Sequence, residues 1–170
     1  MWVTVLVIGL VAATMLAEAG ISQANERTLR AGGAVEPRDD VYAVMQVAYP
    51  GCFLAMAAEA WWRETPPGLP AAGLAVFGLA KALKWWAMAS LGVRWTFRVL
   101  VPPSAEVIRR GPYRLIRHPN YVAVVGELAG VALVLGVPMT GAAACLGFGA
   151  LMWVRIRVEE RALGLRPRGV

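Results

Sequence analysis

The sequence predicts an all-α membrane protein, a polytopic bundle of about five transmembrane helices with a pocket at one polar end. Three observations lead there. Hydrophobic residues make up 58% of the 170-residue chain and charged residues only 16%, whereas soluble domains run at about 45–50% and about 25%. Five apolar stretches of near-spanning length follow one another, separated by turn signals. The basic residues flank those stretches instead of forming one surface patch. The length suits a single domain.

A spanning helix needs about 20 mostly apolar residues. The first candidate covers residues 2–21. No basic residue precedes it, so a spanning helix is favoured over a cleaved signal peptide, although Ala17-Glu18-Ala19 faintly resembles a cleavage site. A polar connection over 22–40 holds the helical-looking segment Asn25-Glu26-Arg27-Thr28-Leu29-Arg30 and a Gly32-Gly33 break. The second candidate covers 41–62 and ends on the turn sequence Arg63-Glu64-Thr65-Pro66-Pro67-Gly68. The third covers 69–92, and a long basic connection over 93–118 follows it. The fourth covers 119–136 and the fifth 139–156. Gly136-Val137-Pro138 between them allows only a tight hairpin.

Charge placement gives an orientation. The three polar regions at one end carry Arg27, Arg30 and Arg38; Arg94, Arg98, Arg109, Arg110, Arg114 and Arg117; and Arg155, Arg157, Arg161, Arg166 and Arg168. The other end has Arg63 and little else. The positive-inside rule puts the basic end in the cytoplasm and the N-terminus outside. The net charge of +6 is thereby explained by topology, and no nucleic-acid motif accompanies it. Cys52 and Cys145 lie in apolar runs without metal-type spacing, so neither a disulfide nor a zinc site is implied.

Several ionisable residues fall inside the proposed spans, among them Glu59, Lys81, Lys84 and Glu127. Such residues usually face the bundle interior and pair. Lys81 and Lys84 are three apart and share a helix face. Glu59 and Lys84 read most simply as end-of-helix side chains that snorkel to the interface. Glu127 either lines a pocket beneath the polar loop or makes an interhelical hydrogen bond.

Two polar patches stand out. Residues 111–121 read Gly-Pro-Tyr-Arg-Leu-Ile-Arg-His-Pro-Asn-Tyr and contain the one histidine, His118. Pro119 biases His118 away from helical geometry and opens the next helix, whose free amides would welcome an anion. An interfacial belt of Tyr, Arg and His explains the composition equally well. The second patch closes the fifth stretch with Arg155, Arg157, Glu159 and Glu160. Arg155 and Glu159 are four apart on one face. They form either an intrahelical ion pair or a site in which the carboxylate holds an ammonium and the guanidinium an anion.

The ordered set Gly111-Pro112-Tyr113, Arg117-His118-Pro119-x-Tyr121 and Arg155-Ile156-x-x-Glu159-Glu160-x-x-Leu163 resembles the isoprenylcysteine carboxyl methyltransferase family, integral membrane enzymes that use S-adenosylmethionine. The match covers roughly residues 93–163. Asn25-Glu26-Arg27 and Gly33-Ala34-Val35-Glu36 look more like the bacterial members found beside type III polyketide synthases. The resemblance implies that Tyr113, His118, Pro119, Asn120, Tyr121 and Glu159 contact the cofactor, Glu159 through its amino group. It adds Glu106, Val107 and Ile108 upstream, where this chain has Ala105 in place of a histidine of the eukaryotic enzymes. Arg155 would face the methyl acceptor as the catalytic residue, with Glu127 beside it on the substrate side. Members usually continue past the double glutamate into an aromatic segment, which residues 163–170 lack.

The implied reaction is methyl transfer from S-adenosylmethionine to an oxygen of a lipophilic small-molecule acceptor at the cytoplasmic face. A membrane scaffold that binds a lipid or partner without catalysis is the alternative. A transporter is disfavoured, because matched broken-helix repeats are missing.

Overall fold

The computed structural model describes residues 2–37, 39–64, 66–103, 108–162 and 164. Among these, five helices run α1 (Trp2–Ala31), α2 (Tyr42–Trp62), α3 (Pro70–Leu91), α4 (Pro119–Leu135) and α5 (Pro138–Ala162), with short 3-10 turns at Gly92–Arg94 and Gly111–Arg114. Four helical segments are long and apolar enough to cross a membrane; α4, at 17 residues, is a shorter apolar helix. The expected all-α membrane bundle is the observed one.

The element ends follow local chemistry. Pro70, Pro119 and Pro138 open α3, α4 and α5, where a missing N–H costs nothing. Gly136 ends α4 in the left-handed region, at φ 68°. The first helix corrects the sequence expectation, because it does not stop near residue 21. Residues 22–31 add almost three more turns, since Gln23, Ala24, Glu26, Arg27, Leu29 and Arg30 are good helix formers. It ends only at the Gly32-Gly33 break, where Gly33 takes φ 81° and Ala34 N–H donates to the Leu29 carbonyl at 3.0 Å. A 30-residue helix is about 45 Å long, so α1 reaches past a hydrocarbon core of about 30 Å. Its last turns become a wall of the polar end.

Helices α3 and α4 pack most closely, through small residues. A Cβ built on Gly130 would stand 2.7 Å from the Phe77 backbone nitrogen, and one on Gly73 would stand 2.7 Å from the Gly130 carbonyl oxygen. Gly126 meets Ala80 one turn further on. Close backbone approach of this kind drives helix association where lipid tails remove the hydrophobic advantage. Phe53, Met56, Leu128, Val131, Phe148 and Met152 fill the centre. Leu6, Leu16, Val47, Leu79 and Leu146 are exposed, as lipid-facing side chains should be.

At the apolar end, Glu59 accepts from Arg63 at 2.8 Å and from the Thr140 N–H at 3.1 Å, tying α2 to the start of α5. At the opposite end the two long connections clasp each other. Val35 and Val101 form an antiparallel bridge, and Arg98 donates to Glu36 at 2.7 Å while stacking 4.5 Å from the Tyr42 ring. Burial raises the Glu36 pKa, but hydrogen bonds and charge from Arg98 and Arg30 outweigh it and hold the carboxyl below its ordinary value. This clasp fixes the backbone over the pocket described next.

Candidate active site at the polar end

A cavity of about 1140 Å³ opens at the polar end, walled by α1, α2, α5, parts of α3 and α4, and residues 94–102 and 108–118 of the connection between them. Ile108, Tyr113, His118, Asn120, Tyr121, Arg155 and Glu159 all line it. The two sequence patches, about 35 residues apart along the chain, therefore share one chamber. Glu106 and Val107 lie outside the described residues. Pro119 does not line the cavity; it is buried at the first position of α4 and sets that helix's direction.

Each side chain is aimed by its local backbone. Gly111 sits at φ 57°, and a Cβ there would fall 2.0 Å from the Ser90 hydroxyl. Only glycine lets this turn dock against the end of α3, and Arg110 secures it by donating to the Ser90 carbonyl at 2.7 Å. The turn carries Tyr113 into the cavity wall. Burial and then the Glu159 charge push its phenol well above the ordinary value, so it stays a neutral donor. His118 precedes α4 with non-helical backbone. Its Nε2 lies 3.3 Å from Glu160 Oε1, its Nδ1 3.9 Å from Glu159 Oε2, and its ring 5.5 Å from that of Tyr121. Asn120 accepts from the buried Trp95 indole at 3.4 Å, and the Trp95 carbonyl accepts from Asn25 at 2.7 Å. The extended α1 thus supports the cavity roof.

Arg155 and Glu159 are joined through a third group. The Tyr121 hydroxyl accepts from Arg155 Nε at 3.1 Å and donates to Glu159 at 2.9 Å. Arg155 also donates to Asp40 at 3.1 Å and to the Phe97 carbonyl. Asp40 in turn accepts from the Val99 N–H at 3.0 Å, and Ser22 accepts from the Phe97 N–H at 2.8 Å. A guanidinium has five N–H donors, and these three partners lock its plane against the cavity. The result is a cation and a carboxylate, held side by side on α5 by a phenol from α4.

Glu127 is placed differently from the cavity residues. It is 1% exposed and stands behind the lining, in a four-charge cluster with Glu18, Lys81 and Lys84. The Tyr49 hydroxyl donates to it. Lys84, expected to snorkel, is 2% exposed and belongs to the same cluster. Its α3 face turns inward toward α1, α4 and the cavity, and two carboxylates hold its ammonium there instead of the membrane interface.

Ser22, Asp40, Trp95 and Phe97 were not singled out from the sequence, nor were Glu18 and Tyr49. Glu18 had a usable signal: two buried lysines need two acids, and Glu127 supplies only one. Asp40 had none, because its partner Arg155 is 115 residues away.

The fold and chamber define a class: an integral membrane helical bundle with a polar cavity at one end. The isoprenylcysteine carboxyl methyltransferase (ICMT) family model matches residues 72–164, more than half the chain, and the chain belongs to that family. Membership supports a methyltransferase acting on a membrane-associated substrate. The chain is 30% identical over 159 residues to the uncharacterized protein YpbQ of Bacillus subtilis (strain 168), covering 93% of this chain and 95% of that one. It is 26% identical over 145 residues to an uncharacterized protein of Haemophilus influenzae, covering 84% of each. No solved structure matches it.

Proposed function

We propose that the protein transfers a methyl group from S-adenosylmethionine to an oxygen, carboxylate or phenolate/enolate, of a lipid-like acceptor at the cytoplasmic membrane face. The observation that carries this reading is the Arg155–Tyr121–Glu159 arrangement inside the cavity. The donor set suits the cofactor. Glu159 offers a carboxylate to its ammonium, and Arg109, Arg114 and Arg117 line the same chamber for its carboxylate. Tyr113, His118 and Tyr121 present ring faces, and Asn120 holds the helix start. A single small-molecule site usually spans about 300–1000 Å³, so 1140 Å³ has room for a cofactor and part of an acceptor.

When bound, S-adenosylmethionine supplies an already activated methyl group, so an anionic acceptor needs no general base. What the protein contributes is positioning and charge. Arg155 holds the acceptor anion without protonating it. Tyr121 fixes Arg155 and Glu159 relative to each other, and so sets the acceptor oxygen against the cofactor. Met45, Met152 and Phe148 continue the lining and accept the apolar body, arriving from the bilayer. The Arg-rich connections support a cytoplasmic mouth by the positive-inside rule, where a water-soluble cofactor is available.

Isothermal calorimetry with S-adenosylhomocysteine on detergent-solubilised protein tests the cofactor half. Saturable one-to-one binding is expected. A well-folded protein that binds none would leave only the non-catalytic scaffold.

A further inference from the structure

The four buried charges beneath the site have a face on the cavity. Lys84 Nζ lies 2.7 Å from Glu18 and 3.2 Å from Glu127; Lys81 Nζ lies 2.8 Å from Glu18 and 3.1 Å from Glu127. Two cations and two anions alternate in a neutral ring shared by α1, α3 and α4. All four are 6% exposed or less. Apolar side chains of the same volume would hold the helices together at lower desolvation cost, so packing alone is a poor reason for the ring. Its two halves also differ. Glu18 and Lys84 line the cavity, together with Tyr49, whose ring lies 5.5 Å from Lys84 Nζ; Lys81 and Glu127 lie outside the lining.

The depth of this face is set by α1. Ser22 belongs to the upper layer, because it accepts from the Phe97 N–H, and the Phe97 carbonyl accepts from Arg155. Glu18 is four residues earlier, about 6 Å deeper along the helix. Ala19, Met45, Gln46, Val124 and Met152 also line the chamber.

We propose that Glu18 and Lys84, with Tyr49, are a second docking point for the methyl acceptor, and that the acceptor carries a second hydrogen-bonding oxygen about one helical turn from the methylated one. This rests on the methyltransferase reading and adds a substrate requirement to it. A hydroxyl at this position accepts from the Lys84 ammonium and donates to the Glu18 carboxylate, using donor and acceptor together. An acceptor without that oxygen sets an apolar edge against a buried ion pair. Sites built to hydrogen-bond a substrate hydroxyl reject analogues lacking it far more strongly than apolar pockets reject a size change. Glu18, Lys84 and Tyr49 are positioning residues here, and Arg155 keeps the reacting oxygen.

The test compares 3-dodecyl-5-hydroxybenzoate with 3-dodecylbenzoate, which differ in one ring hydroxyl, using S-adenosylmethionine and the full-length protein in lipid nanodiscs. The wild type is expected to favour the hydroxylated probe by tenfold or more in kcat/KM, mostly through KM. The charge-neutral double variant Glu18→Gln/Lys84→Met should lose that preference to within about twofold, with S-adenosylhomocysteine affinity retained. The matching variant of the rear half, Lys81→Met/Glu127→Gln, should keep it. A merely structural ring would move thermal stability in both variants and the preference in neither. Equal use of the two probes by the wild type, or use of neither while S-adenosylhomocysteine binds, overturns the docking point and leaves the cofactor reading standing. Loss of S-adenosylhomocysteine binding in the wild type would instead remove the methyltransferase reading itself. The wild-type comparison does not depend on any variant folding.

Discussion

Replacing Glu159 with alanine is expected to weaken S-adenosylhomocysteine binding by roughly 10- to 100-fold while leaving the fold intact. Glu159 sits near the end of α5 and is held in the lining by Tyr121. A hydrogen bond to a charged group is worth about 1.5–3 kcal/mol, which corresponds to that range at about 1.4 kcal/mol per tenfold. Glu159 takes no part in the α3–α4 seam, so thermal stability should change little. Calorimetry of wild type and variant, with a melting curve of each, reads both quantities. An unchanged affinity would show that the ammonium is held elsewhere in the chamber.

Replacing Arg155 with alanine is expected to remove turnover by about two to three orders of magnitude, as loss of one preorganised charge-stabilising donor does. It should leave S-adenosylhomocysteine affinity within about threefold. Stability also falls here. Asp40 is 3% exposed at its side chain, and leaving one member of a buried pair alone costs roughly 3–5 kcal/mol. Arg155→Lys separates the two effects. A lysine keeps the charge near Asp40, but its single ammonium cannot span Asp40, Phe97 and Tyr121 at once. It should therefore recover much of the lost melting temperature and little of the turnover. Equal losses of cofactor affinity in Arg155→Ala and Glu159→Ala would contradict the division of roles between them.

Much of the architecture was legible because membrane helices announce themselves locally. Length, hydropathy and the Pro and Gly punctuation around residues 63–70, 119 and 136–138 act over a few residues each. Two boundaries were misread: α5 runs to Ala162, past the expected end at 156, and the end of α1 is a place where two local signals disagree. Hydropathy falls after Ile21, yet helix propensity continues to Arg30, and the structure follows propensity. The two site patches were legible because each is a short run of polar and aromatic residues against an apolar background. Their meeting in one chamber was implied only by the family resemblance and not by spacing, since it depends on α4 and α5 folding back through the hairpin. Asp40 and Phe97 illustrate the limit. One is an acid in a mixed-charge loop, the other contributes a backbone carbonyl, and neither carries a sequence mark of its bond to Arg155. Lys84 shows a different failure. Position near a helix end suggested snorkelling, but the rotation of α3 decides, and that is set by where Gly73 and Ala80 meet α4.

The most direct test of the account is transfer of label from methyl-tritiated S-adenosylmethionine into an organic-extractable product. Full-length protein in nanodiscs would be incubated with a lipid extract of the producing cells, and the product's mass read against the unlabelled lipid. A new lipid heavier by one methylene is expected, absent with Arg155→Ala. Label confined to the aqueous phase, from protein that binds S-adenosylhomocysteine, would contradict it.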